Sequence, residues 1–222
     1  AINSHEPIKD TGLRRTYPNW ISREGARGME YNAWGQPPNP PEHEVNLVFT
    51  RMLGGPMDYT PGIVSLKGRN GLPLRSTLAK QLALYVVLYS PVQMVADLPE
   101  HYAQHPDAFQ FIKDVAVDWE ESHVLNGEVG QYVTFARKAR GSEEWFVGSV
   151  GSEKPQALDV ALSFLTPGKR YRAEIYRDGD GANWETAPFA FVRETRMVGS
   201  GDRIKLQLGA GGGAAVRFVP VE

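Results

Sequence analysis

The chain has no cysteine, which excludes disulfides and thiolate metal sites and leaves any metal to oxygen or imidazole ligands. It has no excess of either charge. Lys and Arg number 24 against 26 Asp and Glu, a net charge of -2 with no run of like charges, so the electrostatic footprint of a nucleic-acid binder is missing. Neutral small molecules are the expected ligands. Long apolar runs are also lacking: the longest, Leu82 to Val95, is interrupted by Ser90-Pro91 and Gln93 and is too short and too polar to span a bilayer. No basic stretch leads into an apolar one at the N-terminus, so no signal peptide is visible, although a processed or truncated chain has the same appearance. Internal repeats are not evident.

What is present is ample apolar material. With 222 residues, 41% of them hydrophobic, the chain can bury a core and fits one large or two modest domains. Up to about Trp119 short strand-like pieces, at residues 1–5, 26–30, 54–58 and 92–97, alternate with helical patterns at 44–53, 77–89 and 103–112. The clearest helix sets Leu78, Leu82, Tyr85, Val86 and Tyr89 at spacings of three and four, giving one apolar face. Strands alternating with helices predict parallel βα units, and four such units are half of a (β/α)₈ barrel, a fold of about 250 residues.

Beyond residue 119 the pattern changes to short strands, expected at 131–138, 144–149, 157–164, 170–177, 188–193, 203–208 and 214–219. Period-two alternation is clear in Tyr171-Arg172-Ala173-Glu174-Ile175-Tyr176, and Thr166-Pro167-Gly168, Asp178-Gly179-Asp180-Gly181 and the glycines of 209–213 supply turns. Seven such strands predict an antiparallel β-sandwich. The expected fold is therefore the second half of a (β/α)₈ barrel over residues 1–118, followed by a C-terminal β-sandwich over 119–222.

Each of the four barrel-like strands ends at an acid: Glu6, Glu30, Asp58 and Asp97. In such barrels the active site gathers at the C-terminal ends of the strands. Converging carboxylates repel and raise one another's pKa unless a cation or a shared proton offsets them. Calcium suits a chain whose donors are oxygens, and glycoside hydrolysis, which uses two carboxyl groups about the scissile bond, suits it equally. Singly, each acid is more often a solvated loop residue or a helix cap, Asp97 above all, since the Leu98-Pro99 after it reads as a helix start. His5 is a donor to a sugar hydroxyl or a bridge between backbone groups. Tyr31 and Trp34 are a sugar-stacking platform or ordinary packing. Arg14, Arg15, Arg23 and Arg27 are expected as ion-pair partners that fix carboxylate rotamers.

The segments His5-Glu6-Pro7-Ile8-Lys9, Arg23-Glu24-Gly25-Ala26-Arg27-Gly28-Met29-Glu30-Tyr31-Asn32 and Gly54-Gly55-Pro56-Met57-Asp58-Tyr59-Thr60-Pro61-Gly62, with 79–87, 109–114 and 175–179, resemble glycoside hydrolase family 97. The likeness covers nearly the whole chain. It implies barrel strands five to eight and a C-terminal β-domain, action on α-linked glycosides of the α-glucosidase or α-galactosidase type, a calcium ion in the site, and a periplasmic or secreted location. On the matching motif Glu6 and Glu24 are implied as calcium ligands and Glu30 as the general acid, with His5, Tyr31 and Trp34 beside the substrate. Glu6 in its His-Glu-Pro setting points to inversion, in which it helps to activate water across a gap of roughly 6.5–9.5 Å. Glu30 is expected to be kept protonated by burial and neighbouring carboxylates. The first four strands and an upstream base have no counterpart here, so the expected partners are an α-linked oligosaccharide and the remaining half of the barrel, from a missing segment or a second chain. A sugar-binding module without catalysis, or an inactive fragment, stays open beside this reading.

Overall fold

The computed structural model describes residues 1–221. Strands β1 (Ile2–Ser4) and β2 (Trp20–Arg23) pair in parallel. Next to β2, the Asp58 N–H donates to the Arg23 carbonyl at 3.1 Å and the Met57 N–H donates to that of Tyr89 at 3.0 Å. Four segments thus lie side by side in chain order. Parallel neighbours need long crossovers, and these are supplied in part by helices α1 (Glu42–Phe49) and α2 (Leu78–Val87).

Two of the four expected strands stand elsewhere. Residues 26–30 do not extend a strand. Gly25 turns left-handed at φ 64 after β2, a conformation open to glycine without strain, and Met29–Ala33 coils into a 3-10 helix. The fourth pairing residue is Tyr89, not the 92–97 segment, because α2 stops at Val87 and Leu88 is already extended. Ser90-Pro91 explains the stop, since a proline disfavours helical geometry in the residue before it. The helix expected over 44–53 breaks at Thr50 and resumes as a 3-10 turn at Arg51–Gly54. The helix expected over 103–112 is two, α3 (Pro99–Gln104) and α4 (Pro106–Asp114), each opening on a proline in its first turn, where the missing N–H costs nothing. Among the described residues no helix is long and apolar enough to cross a membrane.

The C-terminal part is an antiparallel sandwich. Six strands run in the order β3 (Trp119–Glu128), β4 (Tyr132–Ala139), β5 (Trp145–Gly151), β10 (Gly213–Val221), β7 (Arg170–Asp178) and β8 (Phe191–Val198). A two-stranded sheet of β6 (Gln156–Ala161) and β9 (Arg203–Leu208) closes one face, packing Leu158, Ile204 and Leu206 against Val147, Ile175 and Val216. Strand β3 was not foreseen. Between Trp119 and Leu125 its residues are exposed, so this edge strand carries no apolar alternation.

The opposite face of the large sheet is covered by α2 and α4, where Leu82, Val86 and Phe111 meet Phe146, Tyr176 and Ala215. Strand β5 is buried on both faces along its whole length, as expected of a strand sandwiched between a sheet and helices. A Cβ on Gly148 would lie 2.7 Å from both the Ala83 carbonyl and Val86 Cβ, so glycine is what lets α2 lie directly on the sheet.

The two parts are also joined by charge. Lys80, on α2 and fully buried, donates through Nζ to the carbonyls of Pro41 at 2.7 Å and Gly151 at 3.0 Å and sits 3.1 Å from the Glu44 carboxylate. The other Glu44 oxygen accepts from the Tyr59 hydroxyl at 2.6 Å. Burial, with the Glu44 charge beside it, pushes the Tyr59 hydroxyl well above its ordinary pKa, so it stays a donor. Lys80→Met would leave a carboxylate and two carbonyls buried without their cation. It is expected to cost about 3–5 kcal/mol in denaturant unfolding; a loss below about 1 kcal/mol would show that the pair is replaceable.

Candidate active site

The segment after β1 carries His5 and Glu6, the segment after β2 carries Glu24, and the third segment carries Asp58. The structure brings them together around His5. Its Nε2 lies 2.8 Å from Asp58 Oδ2, and its Nδ1 lies 3.9 Å from Glu24 Oε2 and 3.8 Å from Glu30 Oε1. The Glu6 N–H donates to Glu24 Oε2 at 3.2 Å. Glu6 itself has φ 57, a left-handed conformation rare for a residue with a side chain and concentrated at functional sites.

The acids differ in setting. Asp58 is buried, with 1% of its side chain exposed, and accepts from Asn3 Nδ2 as well as facing His5. Half of the Glu30 side chain is exposed, so the cover needed to bury it does not come from the described residues. Asp97 lies elsewhere, 2.6 Å from His101 Nδ1 and accepting from the Ser65 N–H at 2.7 Å. Tyr31 and Trp34 stand edge to face at 6.4 Å and share with Glu6 and Glu24 a shallow hollow of about 250 Å³.

The positioning is mostly the work of a residue that sequence reasoning missed. Arg51, buried behind the site, donates to the carbonyls of Glu24 and Arg23 at 2.9 Å and of Gly55 and Pro56 at 3.0 Å. It thereby ties the end of β2 to the segment that leads to Asp58. A Cβ on Gly28 would come within 3.2 Å of Glu24 Oε1, so the turn before Glu30 passes close against that carboxylate. The arginines expected to brace the candidate acids do other work. Arg14 pairs with the buried Asp10 at 2.8 Å, Arg23 lies over the Trp20 ring at 3.7 Å, and Arg27 lies over Tyr31 at 4.7 Å. No ion pair of Arg15 with a candidate acid is found among the described residues.

Among the described residues no group of three or more His, Asp or Glu side chains is disposed to hold a metal ion. Glu6 and Glu24 bring two carboxylates into one hollow, the hard donors that calcium takes, but calcium needs about six to eight oxygens. The two acids fall short of that number among the described residues.

The hydrogen bond to Asp58 raises the His5 pKa, burial opposes it, and the charges of Asp58, Glu24 and Glu30 add to the rise. The linked stability is complete below the ordinary histidine value of about 6.5 and is lost as pH climbs through the raised one. Asp58→Asn is expected to lower the His5 pKa, read from a histidine-selective NMR titration. An unchanged value would mean that Asp58 does not hold the proton.

The families described as "Glycoside hydrolase 97" and "Glycosyl-hydrolase 97 C-terminal, oligomerisation" match residues 1–26 and 118–219. A curated relative named "Retaining alpha-galactosidase", from Bacteroides thetaiotaomicron, is 35% identical, the alignment covering 98% of this chain and 33% of the relative. A solved structure described as a Glycoside Hydrolase Family 97 enzyme in complex with Acarbose, from Pseudoalteromonas sp. strain K8, is 54% identical, with a TM-score of 0.96, and is matched over 100% of this chain and 35% of its own. A structure from the same strain, in complex with Panose, matches with the same figures. The chain spans about a third of the length of the curated relatives it matches. Motifs, fold and comparisons agree: the chain belongs to glycoside hydrolase family 97, of which it is a C-terminal region.

Proposed function

We propose that this chain is the C-terminal part of a calcium-dependent, inverting hydrolase of α-linked glucosides, acting in the periplasm or outside the cell. Residues 1–118 are the second half of its (β/α)₈ barrel and residues 119–222 its C-terminal β-domain. The observation that carries the reading is the convergence of Glu24, Glu30 and Asp58 within 4 Å of His5, with Glu24 and Asp58 at the ends of parallel segments whose chain-order pairing suits half a barrel. The rest of the barrel comes from the remainder of the longer protein. It closes over Glu30 and provides the cover that this chain lacks.

In this reading Glu30 protonates the glycosidic oxygen as the bond to the anomeric carbon breaks. Glu6, with a base from the absent half, draws a proton from the attacking water on the opposite face. His5 and the aromatic pair Tyr31 and Trp34 hold the sugar. Glu6 and Glu24 are the carboxylates of this chain that hold calcium, which when bound supplies positive charge beside them and orients sugar hydroxyls. Glucosides are favoured by the acarbose and panose complexes of the relative at 54% identity. The curated relative at 35% supports a second reading, a retaining α-galactosidase.

The full-length protein is expected to hydrolyse panose, to lose activity on chelation, and to release the inverted sugar first, as followed by proton NMR. Glu30→Gln should lower kcat on panose by about 10²–10⁴-fold, and less on a nitrophenyl glucoside, whose leaving group needs little protonation. First release of the retained anomer would overturn inversion. Undiminished activity in Glu30→Gln or in chelator would overturn the assignments of acid and metal.

A further inference from the structure

On the C-terminal sandwich a hollow of about 390 Å³ opens where β3 approaches β6, with His123, Leu125, Asn126, Asp159, Phe164 and Arg203 among its walls. None of His5, Glu6, Glu24, Glu30 or Asp58 lines it. Both β3 and β6 are edge strands of their sheets, so the hollow lies between two strand edges whose outer main-chain donors and acceptors have no neighbouring strand to pair with.

The β3 wall is irregular at one point. The register of β3 against β4 shifts between Val124 and Asn126, a bulge of the kind that re-aims a side chain. Asn126 Oδ1 is buried and has no hydrogen-bond partner among the described residues. A buried acceptor left unmet by its own fold calls for a donor from outside it, and Asn126 lines the space through which one can arrive.

The chemistry of the walls narrows what that partner is. Asp159 and Arg203 bring opposite charges to the lining and pair at 2.9 Å, so neither an anion nor a cation is selected. What remains is a mixture of donors and acceptors: the Arg203 guanidinium, the Ser163 hydroxyl, the Asp159 carboxylate and the Asn126 oxygen. Beside them stands the partly buried ring of Phe164, held 5.0 Å from Trp145 and edge to face with Phe218 at 5.7 Å, and Val124 extends the apolar wall with 62% exposure. A pyranose has the matching parts, an apolar face of C–H groups and a rim of neutral hydroxyls that both donate and accept. An extended peptide fits less well, because the bulge interrupts the regular edge on which a strand would be added.

We propose that this hollow binds a short stretch of a neutral oligosaccharide, with a sugar ring against Phe164 and its hydroxyls bonded to Asn126, Asp159 and Arg203. Its volume lies within the roughly 300–1,000 Å³ of small-molecule sites, which likewise combine an apolar wall with a few convergent polar groups. The site is independent of Glu30 as the acid and of the linkage that is cut. Because α2 packs the sandwich directly onto the N-terminal elements, a glycan held here keeps a fixed position relative to the residues around His5.

The test is hydrogen exchange read by mass spectrometry on the full-length protein. The probes are thio-linked maltotetraose, which resists hydrolysis, stachyose as a neutral galactoside, and tetragalacturonate as an acidic counterpart. At least one neutral sugar is expected to slow exchange over residues 123–126 and 159–164, and tetragalacturonate is not. Asn126→Leu should raise the half-saturating concentration about fivefold, the loss of one hydrogen bond to the ligand. Arg203→Ala should weaken binding similarly, and its exposed ion pair contributes little to the fold, so a loss there is not a loss of structure. No slowing with either neutral sugar, equal slowing by tetragalacturonate, or slowing that neither variant weakens would overturn the site. Protection confined to the residues around His5 would overturn the hollow and leave the hydrolase reading standing; protection of the hollow with none around His5 would support the site and count against that reading.

Discussion

A single ammonium group, that of Lys80, holds together parts of the molecule that the chain visits far apart. It reaches a carbonyl at the end of β5, a carbonyl before α1 and the Glu44 carboxylate, and Glu44 in turn holds Tyr59. Tyr59 follows Asp58, and its own carbonyl accepts from the Met29 N–H at 2.8 Å, one residue before Glu30. Sandwich and site are thus connected by a chain of buried polar contacts whose members have few alternatives. A charge removed from water is tolerated only where its partners are fixed, and here those partners are the backbones of both halves.

Arg51 acts in the same manner at shorter range. Among the described residues its hydrogen bonds all go to carbonyls, so it recognises the path of the main chain and not the side chains on it. The residues it braces can change identity without disturbing it, whereas the site depends on its fork of donors. The carboxylates gain a fixed frame without a compensating charge placed against each of them.

How much of this was legible depended on whether the signal was local. The sandwich strands from β4 to β10 could be read because short apolar or alternating stretches, the alternation clearest in β7, are separated by glycine turns; β3 could not, because an edge strand wet along most of its length carries no apolar period. Helix α2 was legible from its apolar face, though its end was overrun by two residues where Ser90-Pro91 should have weighed more. The approach of Glu30 and Asp58 to His5 followed from placing acids at strand ends, even though the strand before Glu30 was misplaced, Glu6 enters by its main-chain N–H and Asp97 went elsewhere. Glu24 came from family likeness alone. Arg51, Asn3 and Asp10 were invisible because their partners are backbone groups or residues whose proximity only the fold creates. The arginines near the acids misled for the opposite reason: closeness in sequence did not become pairing in space.

Gly148 and Gly213 each leave room for α2, with a Cβ on Gly213 falling 2.6 Å from Lys80 Cα. With no side chain between them, helix and sheet touch backbone to backbone, and packed interiors have little compressibility. The sandwich therefore cannot swing relative to the N-terminal elements as a separate module on a linker would. It behaves as a fixed wall, and any opening needed to admit a ligand or release a product must come from loops at its rim and not from motion of the domain.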